Sequence, residues 1–423
     1  MTNFLWGAAT SSHQVEGDNR NNDWWAWERD HPRRIRDGLG AGEAAQWWAG
    51  GAEMDLATAA ALGHRAHRLS LEWSRIEPAP GRFDAKAIAR YGDILHHARG
   101  LGLSLYVTLN HFTLPQWVGP AGWLEPGLPD AFARYAVRAV DEFAPLVNVW
   151  ATLNEPTVLA WKAYARRDWP PARGRPADAA VALKQQLLGH AAAYHSIKAR
   201  KPMVKVGLVL SLPRIDPDDP RSVFDQVAAN AHRWLANGGV LHALETGWCR
   251  SPVGLWPSFH PELKETLDHL GINYYGRYLV RFSARAPLRL FGRHVQVSSV
   301  RTETSDWGQP SAGGLVRQLR QLRRFGVPLY VTENGIFDPD DSQRPQFIHD
   351  HAAAVLRARS EGIDVAGYFH WSLIDNFEWA QGWTAPFGLI SLDHKTQTRK
   401  IRPSARVLER YARAAETPSA LAL

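Results

Sequence analysis

The chain has 423 residues, 45% apolar and 22% charged, with 34 Gly and 27 Pro, which excludes extended disorder, a collagen-like repeat or a coiled coil. Lys and Arg exceed Asp and Glu by 49 − 42 = 7, but the basic residues lie in scattered pairs such as Arg33-Arg34 and Arg323-Arg324, which argues against a nucleic-acid surface. With no run of about 18 apolar residues, no leader-like start and a single Cys249, a cytoplasmic chain is expected, with no disulfide, thiolate metal cage or membrane partner.

Short apolar or β-branched runs alternate with longer amphipathic stretches from one end to the other. In chain order, strands are predicted at 4–9, 66–73, 104–110, 147–153, 204–210, 270–275, 329–333 and 365–371. Helices are predicted near 51–62, 84–100, 128–144, 177–200, 222–237, 311–325 and 346–361, with a last one near 403–415. Asp84 is placed to cap the second helix and Gly100 to close it. Val316, Leu319 and Leu322 mark a buried stripe on the sixth.

Eight strand-then-helix units with nearly continuous apolar strands predict parallel strands buried on both faces. Eight is the number that closes a (β/α)₈ barrel, here one domain over 1–423 with a flexible tail after about 416. A doubly wound sheet is the alternative, but no strand is followed by a Gly-x-Gly-x-x-Gly turn. The long loops follow the first, fourth, sixth and eighth strands, at the C-terminal face where barrels carry their chemistry.

Nineteen tryptophans stand out. Trp24, Trp25, Trp47, Trp48, Trp123, Trp169, Trp307 and Trp383 lie in polar, Gly- or Pro-bearing stretches, as expected if flat aromatic faces line a cleft that stacks on sugar rings. Two carboxylates end strands: Glu155 in Thr152-Leu153-Asn154-Glu155-Pro156 and Glu333 in Val331-Thr332-Glu333-Asn334-Gly335. A barrel brings the ends of its fourth and seventh strands to face each other across the mouth, despite 333 − 155 = 178 residues of separation. Two carboxyls in a Trp-lined pocket suit glycosidic cleavage, one protonated to assist the leaving oxygen and one ionised. The structural alternative has each Glu capping a helix or pairing with a nearby Arg.

The chain resembles glycoside hydrolase family 1, the β-glucosidase and β-galactosidase family of retaining (β/α)₈ barrels. The resemblance runs from residue 4 to about 403. Phe4–Gly17 (FLWGAATSSHQVEG), Arg68–Ile76 (RLSLEWSRI), Asn154-Glu155-Pro156, Gly271–Tyr275 (GINYY), Thr332-Glu333-Asn334-Gly335 and Trp371–Trp379 (WSLIDNFEW) carry it.

The resemblance implies that Glu155 is the acid/base and Glu333 the nucleophile of a covalent, two-step exo-β-glycosidase. It implies that Tyr275 and Arg68 hold the nucleophile ionised, with Asn273 on the same strand face as Tyr275. It assigns Gln14, His111, Asn154, Glu378 and Trp379 to sugar hydroxyls, Trp371 to a stacking platform and Phe387 to the wall near the hydroxymethyl. Phe112 stands where the family usually carries Trp, so an apolar wall is kept and an indole N–H is lost.

The substrates implied are small β-glycosides or short oligosaccharides, most readily β-glucosides, with β-galactosides and β-fucosides as further possibilities. Transglycosylation uses the same residues. Intact Glu378 argues against 6-phosphorylated sugars, intact Glu155 against a thioglucosidase, and retention of both carboxylates against a non-catalytic sugar receptor. Asp55, His64 and His67 offer no metal set, so neither metal nor cofactor is expected. The loops 160–177 and 281–310 are expected to shape the aglycone side.

Overall fold

The computed structural model describes residues 4–295 and 307–414; the tail after 416 and residues 296–306 of the 281–310 loop lie outside the described residues. Eight parallel strands close a barrel: β1 (Leu5–Ala9), β2 (Ala66–Ser70), β3 (Ser104–Asn110), β4 (Val149–Asn154), β5 (Val206–Ser211), β6 (His269–Asn273), β7 (Leu329–Asn334) and β8 (Val365–Trp371). They neighbour one another in chain order, and β1 pairs with both β2 and β8 to complete the ring. All eight expected strands are present. The second stops at Ser70, because the chain turns there into a short helix, Trp73–Ile76.

Nine helices concern the outer layer: α1 (Gly51–Ala61), α2 (Ala85–Gly100), α3 (Leu128–Phe143), α4 (Pro176–Arg200), α5 (Val223–Arg233), α6 (Gly239–Thr246), α7 (Ala312–Leu322), α8 (Arg344–Ser360) and α9 (Pro403–Ala414). Asp84 caps α2 by accepting from the N–H groups of Lys86 at 2.7 Å and Ala87 at 3.2 Å. Gly100, expected to end that helix, is its last helical residue; the left-handed turn is made two residues later by Gly102, with φ +81°. The single helix expected at 222–237 is α5 followed by a wide π-turn, Trp234–Gly238, and then α6. Val316, Leu319 and Leu322 are buried, and α7 turns that stripe inward.

Two features bear on function. A layer of rings fills the barrel interior: Tyr106 lies 5.3 Å from His269, 5.5 Å from Tyr330 and 5.8 Å from Phe369, so the cleft above has a closed floor. Gly271 belongs to that layer, since a Cβ there would meet Val209, Thr332 and the Tyr106 hydroxyl at 2.7–3.0 Å. Beyond the barrel, Arg214–Pro217, Arg277–Phe282 and Gly292–Val295 form a small sheet that follows the C-terminal ends of β5 and β6. Sequence periodicity did not separate these strands from loop.

Candidate active site

Strand register sets the site. Ser211 pairs with Asn273, and Asn273 with Glu333, which puts the last residues of β5 and β6 level with Glu333, the penultimate residue of β7. The pairing slips between Val331 and Glu333, and again between Ala151 and Asn154. Such irregularities re-aim side chains at strand ends. Glu155 itself is left-handed, with φ +46° and ψ +58°, a strained setting for a side chain with a Cβ. In the closed ring β4 and β7 are three places apart rather than diametrically opposed, so β5 and β6 lie between the two carboxylates and supply their shared partners.

Glu333 is buried and fully engaged. Arg68 Nη1 donates to its Oε1 at 2.5 Å, and the Tyr275 hydroxyl donates to its Oε2 at 2.6 Å. Burial, and then the neighbouring Glu333 charge, push the Tyr275 hydroxyl well above its ordinary value, so it remains a donor. The other Arg68 terminus reaches Asn154 Oδ1 at 2.7 Å, and Asn273 Nδ2 gives to that same oxygen at 3.1 Å and to Glu155 Oε1 at 2.9 Å. Thr332 fixes Asn273 by donating to its Oδ1 at 2.7 Å.

Burial, followed by the charge of Glu333, raises the Glu155 carboxyl to about 8, while hydrogen bonds from Asn273 and Ser211 and the charge of Arg68 oppose the rise. Both carboxylates thus share one polar network, but only Glu333 has a guanidinium directly on it. That asymmetry keeps a proton on Glu155.

Beside the carboxylates stands a column of rings. His13, Trp379, His111 and Trp371 follow one another with centroids 5.8, 6.1 and 5.9 Å apart and planes within 12–14° of parallel. Both Asn154 oxygen contacts are donors, so its Nδ2 gives to His111 Nε2 at 3.3 Å, and the His111 proton sits on Nδ1. Burial holds His111 neutral, and its Nδ1 is enclosed with no partner among the described residues.

A buried donor without an acceptor is what a ligand hydroxyl satisfies. Gln14 Nε2 faces Glu378 Oε2 at 3.2 Å and the Phe377 carbonyl at 2.8 Å. Burial and the nearby Glu333 raise Glu378 to about 8 as well. Phe387 closes the far wall, 6.0 Å from Tyr275 and 5.1 Å from Trp307. Phe112 sits behind His111 at 4.9 Å.

All thirteen site residues expected from sequence therefore meet at the C-terminal end of the barrel. The tryptophan expectation needs correction. Trp47 and Trp123 are core residues, the first tied to Asp55 at 2.7 Å and the second packed on Phe132 at 5.8 Å, because amphipathic surroundings do not distinguish a helix underside from a cleft wall. Asp55 is further committed to Arg399 at 2.7 Å.

Sequence reasoning missed two supports, Ser211 on Glu155 and the buried His13–Glu28 pair at 2.7 Å beneath Trp379, whereas Trp169, expected among the cleft tryptophans, packs against Phe112. His13 lies within the first motif beside Gln14, which was its only signal, and nothing local marks Ser211.

A family model described as glycosyl hydrolase family 1 matches residues 1–417. A β-galactosidase of Pyrococcus woesei is 30% identical over 476 aligned residues, covering 94% of this chain and 93% of that protein. β-Glucosidase 4 of Oryza sativa subsp. japonica is 31% identical, covering 96% and 94%. Among solved structures, a β-glycosidase from Pyrococcus horikoshii superposes with a TM-score of 0.89 at 33% identity, covering 98% and 96% of the two chains. A family 1 β-glucosidase from Thermotoga maritima gives 0.89 at 25% identity, covering 98% and 97%.

Proposed function

The chain belongs to glycosyl hydrolase family 1, and from that premise we infer that it is a retaining exo-β-glycosidase of β-glucosidase type, releasing one unmodified sugar from the non-reducing end of a β-glycoside. The observation that carries the reading is the unequal support of two buried carboxyls. Glu333 is paired with Arg68 and Tyr275, whereas Glu155 is raised by burial and by Glu333.

In the first step Glu333 attacks the anomeric carbon while Glu155 gives its proton to the departing oxygen, leaving a glycosyl ester on Glu333. Esterification removes the charge that raised Glu155, so Glu155 becomes the base that takes a proton from water as that water attacks the ester carbon. Asn273 stays bonded to Glu155 throughout and Arg68 returns to the freed Glu333 carboxylate. Gln14, His111, Asn154, Glu378 and Trp379 bind the sugar hydroxyls, Trp371 stacks beneath the ring, and Phe112 and Phe387 wall it. Catalysis uses no metal and no cofactor in this scheme. No helix among the described residues is long and apolar enough to cross a membrane; a cytoplasmic setting is part of the proposal.

Two measurements test it. Proton NMR of the first-formed sugar from a 4-nitrophenyl β-glucoside must show the β-anomer; the α-anomer would overturn retention. Kinetics across gluco-, galacto-, fuco- and mannosides should show a broad glycone preference. A preference above ~10³-fold for one sugar, ~4 kcal/mol of selective transition-state binding, contradicts it.

The pH dependence follows from Glu155. Its acid role requires the proton, so kcat/KM should fall as pH rises through about 8. With a poor leaving group, Glu155→Gln should abolish that limb together with most activity, while Glu378→Gln should weaken binding and leave the limb in place. A limb unmoved by Glu155→Gln would assign the proton elsewhere.

A further inference from the structure

Phe112 keeps the ring expected at its position but has no donor. It is buried, with φ +76°, and its closest ring neighbour besides His111 is Trp169 at 5.0 Å and 56°. Trp169 comes from the stretch that follows β4, after the π-turn Ala160–Ala165. It also lies 5.7 Å from Trp379 and 5.6 Å from Trp24, so its indole enters the aromatic cluster beside the ring column.

The loop holding it is fastened to that π-turn. Arg173 N–H bonds the Ala163 carbonyl at 2.9 Å, Arg175 N–H the Tyr164 carbonyl at 2.7 Å, and Ala172 N–H the Trp169 carbonyl at 2.8 Å. Arg166 adds an ion pair to Asp168 at 2.7 Å. Trp169 is only 7% exposed. A buried indole ordinarily finds an acceptor for its N–H. That of Trp169 meets none among the described residues.

We propose that Trp169 presents its indole N–H to a hydroxyl of the bound glycone, supplying from the loop after β4 the donor that Phe112 lacks. This rests on the glycosidase reading above. Trp169 is then a specificity residue on the same loop that begins at Glu155, and the aromatic ring at 112 is left to pack behind it. The geometry also accounts for a tryptophan buried within a loop of Arg, Pro and Gly, where the chain otherwise offers little apolar surface.

The test uses Trp169→Phe, which keeps a packed ring and removes the N–H, and the exchange Trp169→Phe/Phe112→Trp, which returns an indole to the family's position. Substrates are 4-nitrophenyl β-glucoside and its 2-, 3-, 4- and 6-deoxy forms. Trp169→Phe should lower kcat/KM on the parent about 5- to 10-fold, the size of one neutral hydrogen bond, with the melting temperature unchanged. On one deoxy substrate, wild type and variant should be equal, because the bonded hydroxyl is already gone.

The exchange should recover most of the loss. If it does not fold, the deoxy comparison on Trp169→Phe alone decides. An equal loss on the parent and all four deoxy substrates, or no loss on any, overturns the proposal. Failure of wild type on every aryl β-glycoside would overturn the glycosidase reading itself, a result distinct from either.

Discussion

Glu333→Gly should lose roughly 10⁵-fold in turnover of an aryl β-glucoside, about 7 kcal/mol of transition-state stabilisation, and regain turnover in azide with an α-glycosyl azide as product. The substitution removes the carboxylate and leaves a space between Arg68 Nη1 and the Tyr275 hydroxyl, both of which donate to Glu333. A small anion fits that charge pattern and attacks from the same side as Glu333, in one step, so the configuration inverts. Glu155→Ala leaves the nucleophile intact. With a 4-nitrophenolate leaving group the glycosyl ester still forms; its breakdown then lacks a base, and azide needs none. The product should be the β-glycosyl azide, by two inversions. Product stereochemistry by NMR separates the two roles. Identical azide anomers from both variants would remove the assignment of nucleophile and acid/base together.

The parts of this site legible in the sequence are those fixed by backbone periodicity and strand ends. Glu155 and Glu333 each close an apolar, β-rich run, and the count of eight such runs places those ends on one face. Motif resemblance then supplied partners from distant segments, such as Arg68 and Tyr275. What was not legible depends on interstrand register and on loop packing. Ser211 reaches Glu155 because β5 pairs with β6 at Asn273, and nothing local to Leu210-Ser211-Leu212 announces that. The expectation that β4 and β7 oppose each other failed by one place around the ring, and that place matters. It lets Asn273, at the end of β6, touch Asn154 and Glu155 at once while Thr332 of β7 holds it. Trp47, Trp123 and Trp169 all sit in polar stretches, but only Trp169 joins the cluster, because side-chain burial depends on which neighbouring loop covers it.

Arg68→Met should be the most damaging substitution outside the two carboxylates. The Arg68 side chain is 1% exposed and that of Glu333 5% exposed, so the pair is shielded from water. Breaking a buried pair by removing one partner costs about 3–5 kcal/mol of stability, because the remaining charge is left uncompensated. Arg68 also satisfies Asn154 Oδ1, the Thr332 carbonyl at 3.2 Å and Thr108 Oγ1 at 3.3 Å, and Met replaces none of these.

Activity should fall roughly 10³-fold, ~4 kcal/mol, since the carboxylate loses both its counter-ion and its orientation. Arg68→Lys tests the geometry of the fork. A single ammonium can serve Glu333 or Asn154 but not both in the observed positions, so its loss should lie between wild type and Met. Adding Glu333→Gln to Arg68→Met should restore stability without restoring activity, because the uncompensated charge is gone while the nucleophile is too. Denaturant melts and aryl-glucoside kinetics on wild type, Arg68→Met, Glu333→Gln alone and the double variant give the whole cycle. If Arg68→Met keeps wild-type stability and loses less than tenfold in kcat/KM, the guanidinium is a bystander, and the charge asymmetry between Glu333 and Glu155 must have another source.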